Sequence, residues 1–371
     1  MNGFEQFLPA HIRKLVESHE ARVSKLGARE DRAIALHLNE NPFGPSPLAL
    51  QAIEHGLAEL HRYPEAEAAD LTSNIARFHG VPAEQVLVTA GLTELLGMIA
   101  RALLGPELKA ITSARSFMVY RLATKATPGS LIEVETRDDG YDLEAIEKAV
   151  DQNTRIVFVA NPNNPTGSLI AADALAHFIN RLPQHVLLVL DEAYGDYAEY
   201  FADKRGVAYP RSLEYLRDGR NIILLRTFSK VHGLAGLRVG YGIGPEALIT
   251  VLRLLRTMFS VSALAEAAAS AALHDREHIR TAIENNAEQA AVVSGGLERL
   301  GLKALPTWAN FIYCETGQSA ARFADELNQR GILVQPLGSW GADTAIRVSI
   351  GTPEDNGRFL EALAKIRRGH G

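Results

Sequence analysis

NIILLRTFSKVHGLAGLRVGYGIG, residues 221–244, opens with an apolar run over 222–225 that reads as a buried strand. The run gives way to Thr227, Phe228, Ser229 and Lys230, and a glycine-punctuated segment then carries Arg238 eight residues past the lysine. A lysine just beyond a buried strand sits at the rim of a sheet. There a partly desolvated amine has a lowered pKa and can attack a carbonyl. Two hydroxyls and an arginine beside it suit a phosphate. The stretch therefore combines an amine for a Schiff base with a phosphate clamp.

Working outward, two more apolar runs end in polar loops of the same kind. Residues 155–160 lead directly into Asn161-Pro162-Asn163-Asn164-Pro165-Thr166-Gly167, where two prolines stiffen the turn. Residues 186–190 lead into Asp191-Glu192-Ala193-Tyr194. An acid at the end of a buried strand needs a partner to offset its desolvation, and a protonated pyridine nitrogen would supply one. A magnesium-binding aspartate would call for a G-x-x-x-x-G-K-[ST] loop upstream, and the chain has none. Residues 86–89 are a further short strand, followed by Ala90-Gly91-Leu92-Thr93-Glu94 and an apolar helix through residue 104. Strand, glycine turn and helix N-terminus together make an anion site of backbone N–H groups. An amine, a ring-nitrogen partner and a phosphate cradle at strand ends are what pyridoxal 5′-phosphate (PLP) requires.

Strands are also expected over 109–112, 130–134, 310–314, 333–335 and 345–349. Helices are expected over 47–60, 66–79, 117–127, 143–150, 172–181, much of 245–300, 319–330 and 353–365. The alternation predicts an α/β protein with a mainly parallel sheet wrapped by helices and ligands outside the strand carboxyl ends. The N-terminal residues read as an amphipathic helix, and 31–47, rich in Pro, Asn and Gly, as an extended arm. The expected division is a helix and arm over 1–45, a large domain over 46–275 and a smaller α/β domain over 276–371.

The 371 residues carry a formal net charge of −6 and 22% charged residues, which leaves no electrostatic footprint for nucleic acid or an anionic membrane. The single cysteine, Cys314, excludes an internal disulfide and a cysteine-based zinc motif, so no metal is expected. There is no secretory signal pattern and no apolar run of membrane-spanning length, which points to the cytoplasm.

The chain resembles the fold-type I PLP-dependent aminotransferases of class I/II, and among them the histidinol-phosphate aminotransferase-like group. LNENPFGPSP at 38–47, Arg62-Tyr63-Pro64, VLVTAGLTELL at 86–96, ANPNNPTG at 160–167, LVLDEAY at 188–194, the 227–244 stretch, ANFIYC at 309–314 and IRVSIGTPEDN at 346–356 carry the resemblance in family order. It implies that Lys230 bonds to the cofactor, Asp191 pairs with its ring nitrogen, and Asn161 and Tyr194 bond its phenolic oxygen. Phe117 would stack on the ring. Gly91, Leu92, Thr227, Ser229 and Arg238 would hold the phosphate, with Tyr63 reaching it from the neighbouring subunit of a homodimer with shared sites. Arg347 would fork onto the substrate α-carboxylate, with Asn39 on the arm that closes over it and Tyr120 also at the substrate. The implied reaction moves an amino group between a donor, histidinol phosphate, and a 2-oxo acid such as 2-oxoglutarate. An aromatic donor of phenylalanine type is the alternative.

The resemblance has gaps. Gln335 stands where an arginine is common in that group, Thr93 where an aspartate is usual, and His232 where a tyrosine often precedes the glycine. Arg13 or Arg121 could supply the missing cation, and Trp308, Trp340 and Phe43 could line an aromatic pocket. Two rival classes fit the sequence less well. Gly242-Ile243-Gly244-Pro245-Glu246-Ala247 fits a nicotinamide fingerprint superficially, but no acid follows at the required spacing. A non-catalytic relative would have little reason to keep Lys230, Asp191, Asn161 and Arg238. A decarboxylase or lyase would share the lysine and aspartate, and Arg347 favours transamination.

Overall fold

The computed structural model describes residues 4–19 and 33–369. Seven strands make the larger sheet: β2 (Val86–Thr89), β3 (Lys109–Ser113), β4 (Ser130–Val134), β5 (Thr154–Ala160), β6 (Leu187–Asp191), β7 (Ile222–Thr227) and β8 (Gly240–Ile243). Their order is β2-β8-β7-β6-β5-β3-β4. Every neighbouring pair is parallel except the two that β8 makes. The central strands are apolar throughout because helices cover both faces. Along β7, Ile222 and Leu224 enter one core, whereas Ile223 and Leu225 enter the core on the opposite face. The same alternation runs through β5 and β6.

The second sheet is built from β1 (Ile34–Leu36), β9 (Lys303–Ala304), β10 (Phe311–Glu315), β11 (Ile332–Pro336) and β12 (Ala345–Ser349), in the order β1-β11-β12-β10-β9. It has its own core, including Ile312, Phe323, Val348 and Phe359.

Three strands escape the sequence reading. β1 lies within the expected arm; its three residues pair in parallel with β11. β8 is Gly-Tyr-Gly-Ile, with no apolar run to signal it. Its glycines are steric: a Cβ on Gly242 would lie 2.9 Å from Leu95 Cδ2 and 3.1 Å from Ile223 Cδ1. The resemblance to a nicotinamide fingerprint there is thus a consequence of close packing. β9 has only two residues. Among helices, Gly195–Arg205 and Ser212–Arg217 add to those expected, and the 245–300 block divides into Glu246–Leu255, Ala263–Ala272 and Arg276–Arg299. The N-terminal helix spans Ala10–His19, and residues 20–32 of the expected helix and arm lie outside the described residues. No helix among the described residues is long and apolar enough to cross a membrane.

Candidate active site

Register brings the three polar loops to one edge. Ala160, Asp191 and Leu225 lie side by side across β5, β6 and β7. Thr227 and Thr89 both pair with Gly240 of β8. The β7–β8 connection folds back on itself, so Arg238, eight residues beyond Lys230 in sequence, returns to the same rim.

Arg238 adopts a left-handed backbone (φ 53°). Its Nη1 donates to Ser229 Oγ at 3.4 Å and to the Ala235 carbonyl at 3.0 Å. The guanidinium lies against Gly91, where a Cβ would come within 2.6 Å of Nη2. Gly91 (φ 79°) precedes the helix Leu92–Leu103, whose first-turn N–H groups have no acceptor within the helix. Thr227 Oγ1 accepts from the Ser229 N–H at 3.1 Å. Arginine, two hydroxyls and a helix N-terminus thus converge without a carboxylate ion-paired to the arginine among the described residues. That is an anion cradle. One expected donor is corrected: the Gly91 N–H is taken by the Thr89 carbonyl at 2.7 Å, leaving that role to the helix N–H groups that follow.

Asp191 is 4% exposed and has no ion-pair partner among the described residues. Its Oδ1 accepts from the Ala193 N–H at 3.1 Å and its Oδ2 from the Tyr120 hydroxyl at 3.0 Å. Burial pushes its pKa up to about 6, against those two hydrogen bonds. A buried carboxylate in this state is matched by a cationic N–H, which a protonated pyridine ring provides.

Lys230 is half-buried. Its Nζ donates to the carbonyls of Leu38 and Asn39, each at 3.1 Å, and lies 5.6 Å from the Tyr194 ring centroid. Burial, then the charges of Arg347 and Arg238, bring its pKa down to about 7, with Glu40 and Asp191 opposing.

Tyr194 accepts from Asn39 Nδ2 at 3.0 Å and from Asn164 Nδ2 at 3.3 Å, which leaves its own hydroxyl hydrogen for a further acceptor. Burial raises its pKa, with Arg347 opposing. Arg347 is 5% exposed. Its Nη1 donates to Asn164 Oδ1 at 2.6 Å and its Nη2 to the His37 carbonyl at 2.7 Å, while Nε is buried without a partner. Desolvation lowers its pKa, and no carboxylate balances it among the described residues. Such a cation is arranged for an external anion.

Asn39 ties these groups together. Its left-handed backbone (φ 56°) turns its carbonyl to Lys230 and to Asn310 Nδ2 (3.0 Å), while its N–H donates to Ser349 Oγ at 2.8 Å. The arm from His37 to Ser46 therefore crosses directly over the lysine and the arginine.

Two expected site residues are corrected. Asn161 does not face the pocket: its Oδ1 accepts from the Ile170 N–H at 2.8 Å and its Nδ2 donates to the Ile170 carbonyl at 3.3 Å. Asn164, three residues on, is the asparagine between Tyr194 and Arg347. The residue type gave no means of choosing; only its place at the head of Pro165-Thr166-Gly167 distinguishes it. Tyr120, expected at the substrate, is fully buried with its hydroxyl on Asp191. Phe117 stands half-buried at the start of the helix Met118–Lys125, edge-on to Tyr120 with centroids 5.7 Å apart. Tyr63 is 84% exposed and stacks on Phe259 at 5.0 Å, on the outside of the molecule.

Around the substrate side, Gln335 pairs with Arg347 across β11 and β12, and its amide donates to the Pro336 carbonyl at 2.9 Å. Arg121 does not supply the missing cation, because Glu133 holds it through two hydrogen bonds. Arg13 is exposed on its helix. The Arg205 guanidinium lies 4.4 Å from the Trp308 ring centroid, and Trp340 donates to the Ser116 carbonyl at 2.9 Å beside Phe117. Phe43 is exposed.

The sequence profile of aminotransferase class I and II matches residues 31–363. Over 342 residues the chain is 43% identical to histidinol-phosphate aminotransferase 2 of Pseudomonas aeruginosa, covering 92% of this chain and 91% of that protein. Over 370 residues it is 38% identical to the histidinol-phosphate aminotransferase of Akkermansia muciniphila, covering 98% and 99% respectively. Among solved structures it is similar to the histidinol-phosphate aminotransferase of Sinorhizobium meliloti in complex with pyridoxal-5′-phosphate. That match has a TM-score of 0.87 at 29% identity and covers 100% of this chain and 98% of that one.

Proposed function

The chain belongs to the class I and II aminotransferases, and from that premise we propose that it is a PLP-dependent transaminase taking its amino group from histidinol phosphate and passing it to a 2-oxo acid. The observation that carries the cofactor reading is Asp191. A buried carboxylate with no ion-pair partner among the described residues, on the same sheet edge as an anion cradle, suits a flat heterocycle bearing a ring N–H at one end and a phosphate at the other. In that reading Arg238, Ser229, Thr227 and the start of the helix Leu92–Leu103 hold the phosphate, and the Tyr194 hydroxyl donates to the ring oxygen. Asn164 orients that hydroxyl, and Phe117 covers one face of the ring.

Bound there, the cofactor supplies an electron sink for the bonds at the donor's amino carbon. The chain does the rest. Arg347 binds the donor's anionic group through its fork, aided by the unpartnered Nε. Lys230 Nζ, with a pKa near neutrality, can both accept a proton from the donor's carbon and return it, because both forms are populated near pH 7. The arm carbonyls of Leu38 and Asn39 hold the amine in place.

We read the enzyme as a cytoplasmic homodimer with shared sites and retain domain limits of 1–45, 46–275 and 276–371. Supporting the dimer, Leu60, Tyr63, Leu254 and Met258 are all more than 60% exposed on two adjoining segments. Arg256 joins those segments through the Ala66 and Glu67 carbonyls. Light scattering giving a monomer mass at micromolar concentration would remove that part of the reading.

Gln335 favours a second donor. With a neutral amide beside Arg347, only one cation serves the anionic end, which suits an aromatic amino acid of phenylalanine type. Purified protein is incubated with each donor and 2-oxoglutarate. Faster turnover with histidinol phosphate supports the first reading and faster turnover with phenylalanine the second. Absence of a PLP absorption band, or its persistence in Lys230→Ala, would refute both.

A further inference from the structure

We propose that Tyr120 is a positioning residue for Asp191: its hydroxyl holds Oδ2 while the Ala193 N–H holds Oδ1, so the carboxylate is fixed from two sides and keeps acceptor capacity for the ring nitrogen of the bound heterocycle. This rests on the cofactor reading above.

Tyr120 is fully buried, so its place is set by packing rather than by a ligand. Its ring stacks on Phe158 of β5 with centroids 4.9 Å apart and planes 5° from parallel. Phe117 meets it edge-on from the start of the same helix. The ring is thus held between the sheet and the side chain expected to cover the cofactor face, and its hydroxyl points at the carboxylate. A phenol in such a packed slot has few rotamers to lose. The hydrogen bond it donates to a charged group belongs to the strong class. Its own pKa is raised well above the ordinary phenol value by burial and then by Asp191, so it remains a donor throughout the working pH range.

The titratable and charged groups around Asp191 come from four directions. Tyr120 stands on the helix Met118–Lys125 and Tyr141 on the loop after β4. Glu192 and Tyr194 follow Asp191 on its own chain, and Lys230 follows β7. Burial and Glu192 raise the Asp191 pKa; the Ala193 N–H, Tyr120 and Lys230 lower it. Removing the Tyr120 hydroxyl takes away a lowering influence, so the carboxyl protonates at higher pH. A protonated carboxyl is a poor partner for a pyridinium N–H.

The test uses cofactor-free full-length protein and two ligands: PLP and its 1-deaza analogue, which carries carbon in place of the ring nitrogen. Binding is followed by fluorescence from pH 5.5 to 8.5. Tyr120→Phe keeps the stacked ring and removes only the hydroxyl. At neutral pH it should weaken PLP about tenfold, the lower range for a hydrogen bond to a charged group, and move the acid limb of PLP binding upward. The analogue should bind as tightly as it does to wild type. Phe158→Leu loosens the slot without touching the hydroxyl and should reproduce part of the PLP-selective loss, which keeps the test available if Tyr120→Phe fails to fold. Equal losses for the two ligands, or no loss for PLP, would overturn the proposal. If wild type binds neither compound, the cofactor reading falls, and the proposal with it.

Discussion

The lysine offers a direct measurement in the cofactor-free protein. Lys230 is half-buried, and its pKa falls to about 7 because burial disfavours the ammonium and because Arg347 and Arg238 face it; Glu40 and Asp191 pull the other way. At about pH 7.5, roughly three-quarters of such amines are unprotonated, against about one in a thousand for a lysine of ordinary pKa near 10.4. Lys230 should therefore acylate faster than exposed lysines at that pH, by less than the ratio of free-amine fractions because a less basic amine is a weaker nucleophile. Competitive labelling with trace acetic anhydride across pH 5–11, read by mass spectrometry of the peptide containing Lys230, gives the titration curve. Two charge changes then move it in opposite directions. Arg347→Gln removes a cation that lowers the pKa and should shift the curve to higher pH. Glu40→Gln removes an anion that raises it and should shift the curve to lower pH. A Lys230 midpoint near 10, or shifts of the same sign in both variants, would refute the electrostatic account of the site.

Three further outcomes follow from named contacts. Gly233 (φ 72°) packs so closely under the arm that a Cβ would run into the Gly44 carbonyl oxygen, whereas Gly206 (φ 63°) has nothing within 4 Å of the same position. Both alanine variants carry the left-handed strain of about 1–2 kcal/mol. Gly233→Ala should lose roughly 2 kcal/mol more by thermal unfolding, as overpacking forces backbone apart, and equal losses would contradict the placement of the arm. Glu192 is buried, accepting from Arg226 Nε (3.1 Å) and Nη2 (2.8 Å) and from Ser212. Glu192→Ala leaves the half-buried Arg226 charge without its partner and should destabilise by less than the about 3–5 kcal/mol of a fully buried pair in denaturant unfolding, with partial recovery in the double variant carrying Arg226→Met. Gln335→Arg should lower KM for histidinol phosphate more than that for phenylalanine, because a doubly charged phosphate gains more than a carboxylate from a second cation beside Arg347; equal effects on both donors would exclude a phosphate subsite there.

The chemistry of the site was more legible than its geometry. β5, β6 and β7 announce themselves because both faces are buried, which gives continuous apolar runs with an abrupt polar end, and those ends are the site. β8 gives no such signal, because its glycines answer to the helix packed across them. Asn161 and Asn164 are the same residue type in one loop. Only the turn of that loop decides which side chain is consumed by the Ile170 backbone and which reaches Tyr194 and Arg347. Tyr120 reads in sequence as one more aromatic near a pocket. That it faces the carboxylate from behind depends on the stacking against Phe158, a contact across 38 residues that no local pattern encodes.

The same sheet that presents the site also fixes the distance between its two halves. Successive side chains on a strand point to opposite faces. Asp191 therefore lies on the face shared with Tyr120, and the next residue, Glu192, lies on the other. On β7, Arg226 shares that other face, while Thr227, the next residue, turns back toward the rim that carries Ser229 and Lys230. The Glu192–Arg226 pair thus joins the ends of β6 and β7 from the side opposite the pocket, one residue from Asp191 on one strand and four from Lys230 on the other. An ion pair here gives little net stability once desolvation is counted. The register itself is held by backbone pairing, Asp191 against Leu225 with the Glu192 N–H on the Leu225 carbonyl at 2.9 Å, and the ion pair fixes the two side chains on the face away from the pocket.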